Sequence, residues 1–353
     1  MKKKVFALVL SVVMVMSLTA GLTGCGSSAE SKGEVNVYNW GEYIDETLLD
    51  EFTQQTGIKV NYTTYSDNES LYSMLSSGTA DYDVIIPSDY MISRLISEDM
   101  LEKLDFDNIP NYSYIDDAYK SLEYDPDNEY SVAYTWGTVG IIYNTTMLDY
   151  VPDSWSVLWD ENLSGQILMF DNSRDALGIA LKYLGYSQNT TDEAQIKEAV
   201  DLLIEQRPLV QSYVMDQIFD KLEGGEAAVG PYYAGDAITM IAENPDLAFV
   251  TPKEGTNLFV DAMCVPKGAA NKANAEAFIN FMCREDIALM NFKYITYSTP
   301  NMAARELIED EDIKNSSIAF PDFSDYQNLE TFQYLGEEGD ALYNDYWKEV
   351  KAQ

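Results

Sequence analysis

The sequence predicts an α/β protein built as two lobes, and three observations support this prediction. The chain has 353 residues, which is more than one hydrophobic core usually organises. Its first hundred residues alternate between strand-like and helix-like patterns. One strand-like run, YDVIIPS at residues 82–88, is almost continuously apolar. Such a run is typical of a strand that is buried on both faces of a parallel sheet.

The first elements form a β-α-β unit. The segment EVNVYNW (residues 34–40) has the alternation of a strand. Helical spacing of apolar residues follows in DETLLDEFTQQTG (residues 45–57), and Gly57 predicts its end. The segment IKVNYTTY (residues 58–65) is strand-like again, and ESLYSMLSSG (residues 69–78) predicts a second helix with a glycine stop. We therefore expect a doubly wound sheet in which the loops at the strand ends are available for binding.

Two long extended segments interrupt this alternation. YSVAYTWGTVGIIYN (residues 130–144) lacks a helical period and contains Gly137 and Gly140. TNLFVDAMCVPKGA (residues 256–269) has the same character. Between and after them, further strand-like and helical stretches continue the α/β pattern. Each long extended segment is therefore predicted to cross from one lobe to the other.

The charge and the missing histidine exclude several classes of function. The chain has 22 Lys and Arg against 59 Asp and Glu, a formal net charge of -37, whereas phosphate-backbone binding requires a positive field. Nucleic acid is therefore not an expected partner. The absence of histidine excludes Ser-His-Asp and Cys-His catalysis and histidine-ligated zinc. Among hydrolytic mechanisms, carboxylate-only chemistry such as that of glycosidases remains.

The first residues predict export. Three lysines at positions 2–4 precede an apolar run and a stretch of small residues, which is the pattern of a signal peptide. Its end, Leu22-Thr23-Gly24-Cys25, resembles a bacterial lipobox. By that resemblance residues 1–24 are the signal peptide, Cys25 carries the lipid, and residues 25–33 are a flexible tether rich in Gly and Ser. The location is then extracytoplasmic, at the cell membrane.

Cofactor and metal motifs are missing from the sequence. It has no glycine-rich phosphate loop after a strand. The acidic run IEDEDI (residues 308–313) lacks the spacing and the glycine of a calcium loop. Cys264 and Cys283 could pair, but we interpret them as small buried apolar residues. We therefore expect no cofactor and no metal.

Several segments at strand ends and in loops combine aromatic and acidic residues. Aromatic faces attract an organic cation, and carboxylates pair with its ammonium groups. The same residue types also bind sugars. The segments are YNWGEY (38–43), PSDY (87–90), FDNSRD (170–175), PYYAGD (231–236), FVD (259–261), TYSTPN (296–301) and ETFQY (330–334).

The chain resembles a known family in several of its segments. YNWGEYI, LLDEFTQQTGIKV, YDVIIPSDY, YTWGTVGIIYN, KYLGYSQNTTD and STPNMAAREL are similar to the spermidine/putrescine-binding proteins of bacterial ABC transporters. The resemblance extends from about residue 34 to about residue 350. It implies a two-lobed type II periplasmic-binding fold with the ligand in the cleft. It also implies a monomer that has no catalytic activity and delivers its ligand to a permease and an ATPase subunit.

The resemblance also implies a set of ligand-binding residues. Trp40 and Tyr43 would flank the methylene chain and Glu42 would meet an amine, while Asp261 would anchor an ammonium group. Ser88 and Tyr90 match a second wall, Asp175 falls where the family usually has glutamate, and Tyr297 and Gln333 match a tyrosine and a polar contact. The full set is Trp40, Glu42, Tyr43, Ser88, Tyr90, Asn172, Asp175, Tyr233, Asp236, Phe259, Asp261, Tyr297 and Gln333.

Departures from the family pattern bear on the amine. Gly41 replaces a hydroxyl residue, Asn172 lies where spermidine binders often have aspartate, and Tyr233 and Phe259 occupy positions often held by tryptophan. Phe259 and Asp236 resemble the putrescine-preferring branch. The resemblance therefore favours putrescine or a mixed preference over spermidine alone.

The predicted boundaries and two alternative functions complete the expectation. Lobe 1 is placed at residues 34–136 plus 262–300, and lobe 2 at residues 137–261 plus 301–353. A glycoside hydrolase that uses Asp175 or Asp261 is the enzymatic alternative. A surface lipoprotein without a role in transport, which would have no small-molecule pocket, is the structural alternative.

Overall fold

The computed structural model describes residues 32–321 and 328–352. The predicted signal peptide, Cys25 and most of the predicted tether lie outside these residues. Within them, no helix has the length and the apolar character needed to span a membrane. The helices are α1 (Thr47–Thr56), α2 (Asn68–Ser76), α3 (Asp89–Ser97), α4 (Ser173–Tyr183), α5 (Glu193–Gln206), α6 (Gln217–Glu223), α7 (Ala234–Glu243), α8 (Lys272–Met282), α9 (Glu285–Ile295), α10 (Met302–Glu306), α11 (Glu311–Lys314) and α12 (Gly336–Ala352).

The strands belong to one mixed sheet. They are β1 (Glu34–Trp40), β2 (Lys59–Tyr65), β3 (Val84–Ile85), β4 (Leu101–Glu102), β5 (Ser131–Asn144), β6 (Ile167–Phe170), β7 (Val210–Val214), β8 (Val229–Tyr233), β9 (Leu247–Val250) and β10 (Leu258–Pro266). The order along the sheet is β2-β1-β3-β10-β5-β8-β6-β7, with β4 beside β10 and β9 beside β5.

The predicted β-α-β unit is confirmed. Strand β1 pairs in parallel with β2 on one side and with β3 on the other, and α1 connects β1 to β2. Gly57 ends α1 in the left-handed conformation, with φ 77°, and its N–H bonds to the Thr53 carbonyl. Glycine adopts this conformation without the steric penalty of a Cβ atom.

The two segments predicted to cross between the lobes form β5 and β10, and of these two strands only β5 pairs with strands of both halves of the sheet. The first part of β5, from Ser131 to Thr138, pairs antiparallel with β10. From Val139 onward, β5 pairs instead with β8 and β9. A single strand therefore takes part in both halves of the sheet, and the change of partner between Thr138 and Val139 marks the junction of the lobes.

Each half of the sheet is covered by its own hydrophobic core. The first core contains residues from Val35 to Trp136 and from Val260 to Phe320. The second contains residues from Val139 to Leu247 together with Tyr343 and Val350 of α12. Ile308, Ala319 and Phe320 thus pack in the first core, while the lobe boundaries drawn from the sequence stay a prediction. Two separate cores are expected from the chain length, because a single hydrophobic core in a chain of this size would be unusual.

The two described cysteines lie in the first core. Cys264 and Cys283 are both buried and are not joined by a disulfide. Burial raises the pKa of the Cys283 thiol to about 12, so the thiol stays protonated and unreactive near neutral pH. Both side chains therefore contribute as small apolar groups, as interpreted from the sequence.

Candidate functional site

Asp261 forms the first acidic end of the candidate site. The register of β10 against β5 shifts between Asp261 and Ala262, and such a bulge redirects side chains. The Asp261 carboxyl is only 5% exposed. Its Oδ2 accepts a hydrogen bond of 2.6 Å from the Tyr43 hydroxyl, which in turn is bonded to the Thr135 hydroxyl. No donor of a described residue reaches Oδ1 of Asp261.

Asp175 forms a second acidic end, in the first turn of α4. Asn172 caps this helix: its Oδ1 accepts the Asp175 backbone N–H at 2.8 Å, and its Nδ2 donates to Asp175 Oδ2 at 2.8 Å. The Tyr233 hydroxyl, at the end of β8, donates to the same Oδ2 at 2.8 Å. As with Asp261, the other carboxyl oxygen, Oδ1, is buried and unpartnered within the described chain.

A row of aromatic rings connects the two acidic ends. The ring of Phe259 lies 5.5 Å from that of Tyr233 and 6.0 Å from that of Tyr297, measured between centroids. Tyr297 in turn lies 5.0 Å from Tyr43 in an edge-to-face arrangement. Since Tyr43 bonds to Asp261 and Tyr233 bonds to Asp175, the row begins and ends at a buried carboxyl. It also joins the first core to the second, and so lies at their junction.

A third carboxyl, Asp236, adjoins the middle of this row. It is half-buried in the first turn of α7, and its Oδ2 accepts a 2.7 Å hydrogen bond from the Tyr297 hydroxyl. Each of the three tyrosines Tyr43, Tyr233 and Tyr297 therefore donates to a different aspartate. This arrangement fixes the carboxyls without adding a positive charge, so a cation can still be attracted to them.

Burial raises the pKa of all three carboxyl groups. Burial raises the pKa of Asp236 to about 7, although the bond from Tyr297 opposes the shift. Burial also raises the pKa of Asp261 to about 6, against the lowering effects of Ser88 and Tyr43. The pKa of Asp175 is raised by burial and lowered in part by Asn172, Tyr233 and Arg174. Desolvation disfavours an isolated charge here, so a bound cation would favour ionisation.

Three other predicted residues, Ser88, Trp40 and Tyr90, make their contacts outside the row. Ser88 forms an antiparallel bridge with Asp261. The Trp40 indole donates to the Ile86 carbonyl at 2.9 Å and its ring packs 4.7 Å from Tyr65. Tyr90 donates to Glu69 at 3.1 Å.

Glu42 and Gln333 are placed differently from the rest. Glu42 is exposed and has a positive φ of 51°. Gln333 is also exposed, and its side-chain amide bonds to the Glu123 carboxylate. The structure thus does not join either residue to the aromatic row. Their assignment to the site remains a prediction.

Sequence reasoning missed residues that hold the site in place. Asn68 donates to the hydroxyls of Ser88 and Tyr90, at 3.1 and 3.2 Å. It is almost fully buried, although an Asn at the start of a predicted helix is usually a surface cap. Thr135, in β5, bonds to the Tyr43 hydroxyl. The only sequence signal that could have pointed to Thr135 was the alternation of residues in that strand.

A glycine adjoins the ring of Tyr297 and allows a prediction. A Cβ atom on Gly235 would lie 2.5 Å from Tyr297 Cδ2, so Gly235→Ala should displace the ring. We expect the steric conflict to lower the free energy of unfolding by about 1–3 kcal/mol. The better helix propensity of Ala should offset up to about 1 kcal/mol of this loss. Gly41→Ala is the control, since its Cβ would have no neighbour within 4 Å. Equal urea midpoints for both variants would contradict the predicted close packing.

The fold and the site together define a class of protein. The two halves of the α/β sheet share β5, and at their junction buried carboxyls flank aromatic rings. Within the described residues no group of three or more potential metal-ligating acids or thiols is found. The arrangement is that of a two-lobed binding protein with acidic and aromatic side chains at the junction of its lobes.

The chain belongs to the bacterial extracellular solute-binding protein family, whose model matches residues 47–321. It is 34% identical over 340 residues to the spermidine/putrescine-binding periplasmic protein of Escherichia coli, covering 95% of this chain and 97% of that one. It is 30% identical to the putrescine-binding periplasmic protein SpuD of Pseudomonas aeruginosa, with coverage of 96% and 97%.

A solved structure agrees with this assignment. The spermidine/putrescine ABC transporter substrate-binding protein PotD of Streptococcus pneumoniae superposes with a TM-score of 0.81 and is 38% identical, over 91% of this chain and 99% of that one. The two-lobed fold predicted from the sequence is thereby confirmed.

Proposed function

We propose that the protein is the extracytoplasmic substrate-binding component of an ABC importer and that it captures a short aliphatic polyamine. One observation carries this proposal. Asp175 and Asp261, both more than nine-tenths buried, lie at opposite ends of an aromatic row, and each has a carboxyl oxygen without a hydrogen-bond donor among the described residues. The names of the relatives, which include spermidine and putrescine, support the same class of ligand.

A chain with an ammonium group at each end matches this arrangement chemically. Each terminal ammonium would bond to one of the free carboxyl oxygens. Charge-assisted bonds of this kind contribute about 1.5–3 kcal/mol each. The methylene groups between them would lie against Phe259, Tyr297 and Tyr233, and cation–π attraction adds about 0.5–2 kcal/mol.

The identity of Asn172 favours a diamine. Its amide nitrogen is committed to Asp175, and its side chain adds no second negative charge at this end of the site. Asp236 lies beside Tyr297 near the middle of the row, where the internal amine of spermidine would meet it, so a mixed preference is included. We therefore propose putrescine, or a mixed preference for putrescine and spermidine.

The mechanism is capture followed by closure of the lobes. Ligand contacts would come from both cores. Tyr43 lies in the first core and Asp261 lies between Val260 and Ala262 of that core, whereas Asp175 and Tyr233 adjoin the second core. These contacts are complete only when the lobes are closed, so ligand binding shifts the equilibrium toward the closed state. The chain positions and orients its ligand, and we expect no turnover of it. The closed form would then dock on a membrane permease that an ATPase drives.

Attachment to the cell membrane completes the proposed function. The lipid would be carried by Cys25, which lies outside the described residues, and a monomer is sufficient because both walls of the cleft come from one chain. Substitution of Cys25 by Ser should release the exported protein from the membrane fraction.

Calorimetric titration with putrescine, cadaverine and spermidine tests this function. We expect saturable binding near one site per chain, with putrescine at least as tight as spermidine. Absence of binding heat and of any thermal shift with all three amines would contradict the proposal. Release of sugar from an oligosaccharide, abolished in Asp175→Asn, would instead support the glycosidase.

A further inference from the structure

An ion bridge connects the two lobes beside the candidate site. Asp340 lies on α12, which is anchored in the second core by Tyr343 and Val350. Its Oδ2 is 3.8 Å from Nη1 of Arg94, on α3 of the first lobe. Its Oδ1 is 3.7 Å from Nη1 of Arg174, on α4 of its own lobe. One carboxylate therefore faces a guanidinium on each side of the lobe junction.

The three side chains are largely shielded from solvent. Their side-chain exposures are 16% for Arg94, 9% for Arg174 and 19% for Asp340. Fully exposed ion pairs contribute little because water and salt screen them, whereas partly buried pairs are screened much less. This bridge differs in that respect from exposed pairs such as Lys197–Asp201, which lie within one helix.

Arg94 is held in place by its own lobe. Its Nε donates to Glu98 at 3.0 Å, and its guanidinium lies 3.6 Å from the ring centroid of Tyr72. The ring of Tyr334, from the segment before α12, covers it at 5.3 Å. These contacts order the long side chain of Arg94, so its guanidinium faces Asp340 as a fixed partner.

Arg174 connects the bridge to the candidate site. It precedes Asp175 in the chain, and its guanidinium lies 4.6 Å from the ring centroid of Phe332 and 5.5 Å from that of Tyr90. Tyr90 belongs to the first lobe and also bonds to Glu69. Arg174 thus contacts the opposite lobe through Tyr90 and its own lobe through Asp340.

We propose that Asp340 is a positioning residue that, through Arg94 and Arg174, holds the two lobes closed and sets how long the ligand stays bound. The part of the proposal that concerns the ligand rests on the proposed function, whereas closure of the lobes does not. A contact that exists only in the closed state shifts the open–closed equilibrium independently of any ligand. Its loss should speed release and leave capture by the open form almost unchanged.

Stopped-flow measurement of putrescine binding to Asp340→Asn, Arg94→Gln and the double variant provides the kinetic test. We expect each single substitution to raise koff by about three- to tenfold, with kon changed by less than about twofold. The effect of the two substitutions together should be clearly smaller than the product of the single effects, because both remove one interaction. Asp201→Asn is the matched control, since it removes the same charge from a pair within α5.

A second measurement needs no ligand. With Cys25 changed to Ser, spin labels on Gln54→Cys in lobe 1 and Glu205→Cys in lobe 2 report the separation of the lobes, as both positions are exposed and the remaining cysteines are buried. We expect Asp340→Asn to shift the distance distribution away from the closed separation, and Asp201→Asn to leave it unchanged.

The outcomes separate this inference from the proposed function. If no polyamine binds to the unmodified protein, the proposed function fails and the distance measurement alone decides about the bridge. If polyamines bind but koff is unaltered in Asp340→Asn, or the effects of the two single substitutions multiply fully, the bridge does not control closure. Identical distance distributions for Asp340→Asn and the unmodified protein would overturn closure by this bridge in the free protein.

Discussion

Asp261→Asn is expected to weaken polyamine binding by about two to four orders of magnitude, because removal of one partner from a buried ion pair costs about 3–5 kcal/mol. The Asp261 carboxyl is 5% exposed, and its Oδ1 has no donor among the described residues. In the variant an ammonium group at this position would be buried without its counter-charge. Calorimetric titration with putrescine measures the change in Kd.

The control for this variant is Asp286→Asn. Asp286 lies on α9 of the same lobe, pairs with Arg284 at the surface, and its substitution removes the same formal charge. We expect its Kd to equal that of the unmodified protein. We also expect the ligand-free Asp261→Asn protein to keep its Tm or gain slightly, since a desolvated carboxyl is removed. A normal Kd for Asp261→Asn would exclude Asp261 from the site, and a collapse of Tm would assign it to the core.

Polyamine affinity is expected to fall by about 10²- to 10³-fold between about pH 8 and about pH 5. Burial raises the pKa of Asp261 to about 6 and that of Asp236 to about 7. Both groups must ionise to pair with an ammonium group, whereas alkyl ammonium groups, with pKa values near 10, stay charged throughout this range. Titration in buffers of different ionisation enthalpy should show release of about one proton for each ligand near about pH 6.5.

The stability of the ligand-free protein should depend on pH in the opposite sense. The pKa values of Asp261 and Asp236 lie above the usual value of about 3.9 for an unfolded chain, so between about pH 4 and pH 7 the folded state holds protons that the unfolded state has lost. Their contribution to stability is therefore complete below about pH 4 and is lost as the pH rises through about 6 to 7. Asp236→Asn should flatten the pH dependence of both the affinity and the stability near about pH 7, where Asp236 titrates. A flat affinity profile would show that neither carboxyl titrates in the ligand-binding step.

The sequence determined the elements whose signals are local. The β-α-β unit followed from alternation, helical spacing and the stop at Gly57, and each depends on neighbouring residues only. The length of β5 without a helical period indicated a strand that passes between lobes. The ligand class followed from segments that pair aromatic with acidic residues and resemble a known family. These features need no knowledge of distant contacts.

Only the tertiary structure decided which of these residues act together. Tyr43 and Asp261 are separated by 218 positions in the chain but bond at 2.6 Å, and the bulge between Asp261 and Ala262 is visible only in the pairing of β10 with β5. Glu42 precedes Tyr43 directly in the chain, yet Glu42 is exposed whereas Tyr43 is buried. Composition and periodicity can be read from neighbouring residues. The partner of each buried carboxyl instead depends on how the two cores pack against each other, and this packing joins residues that are far apart in the chain.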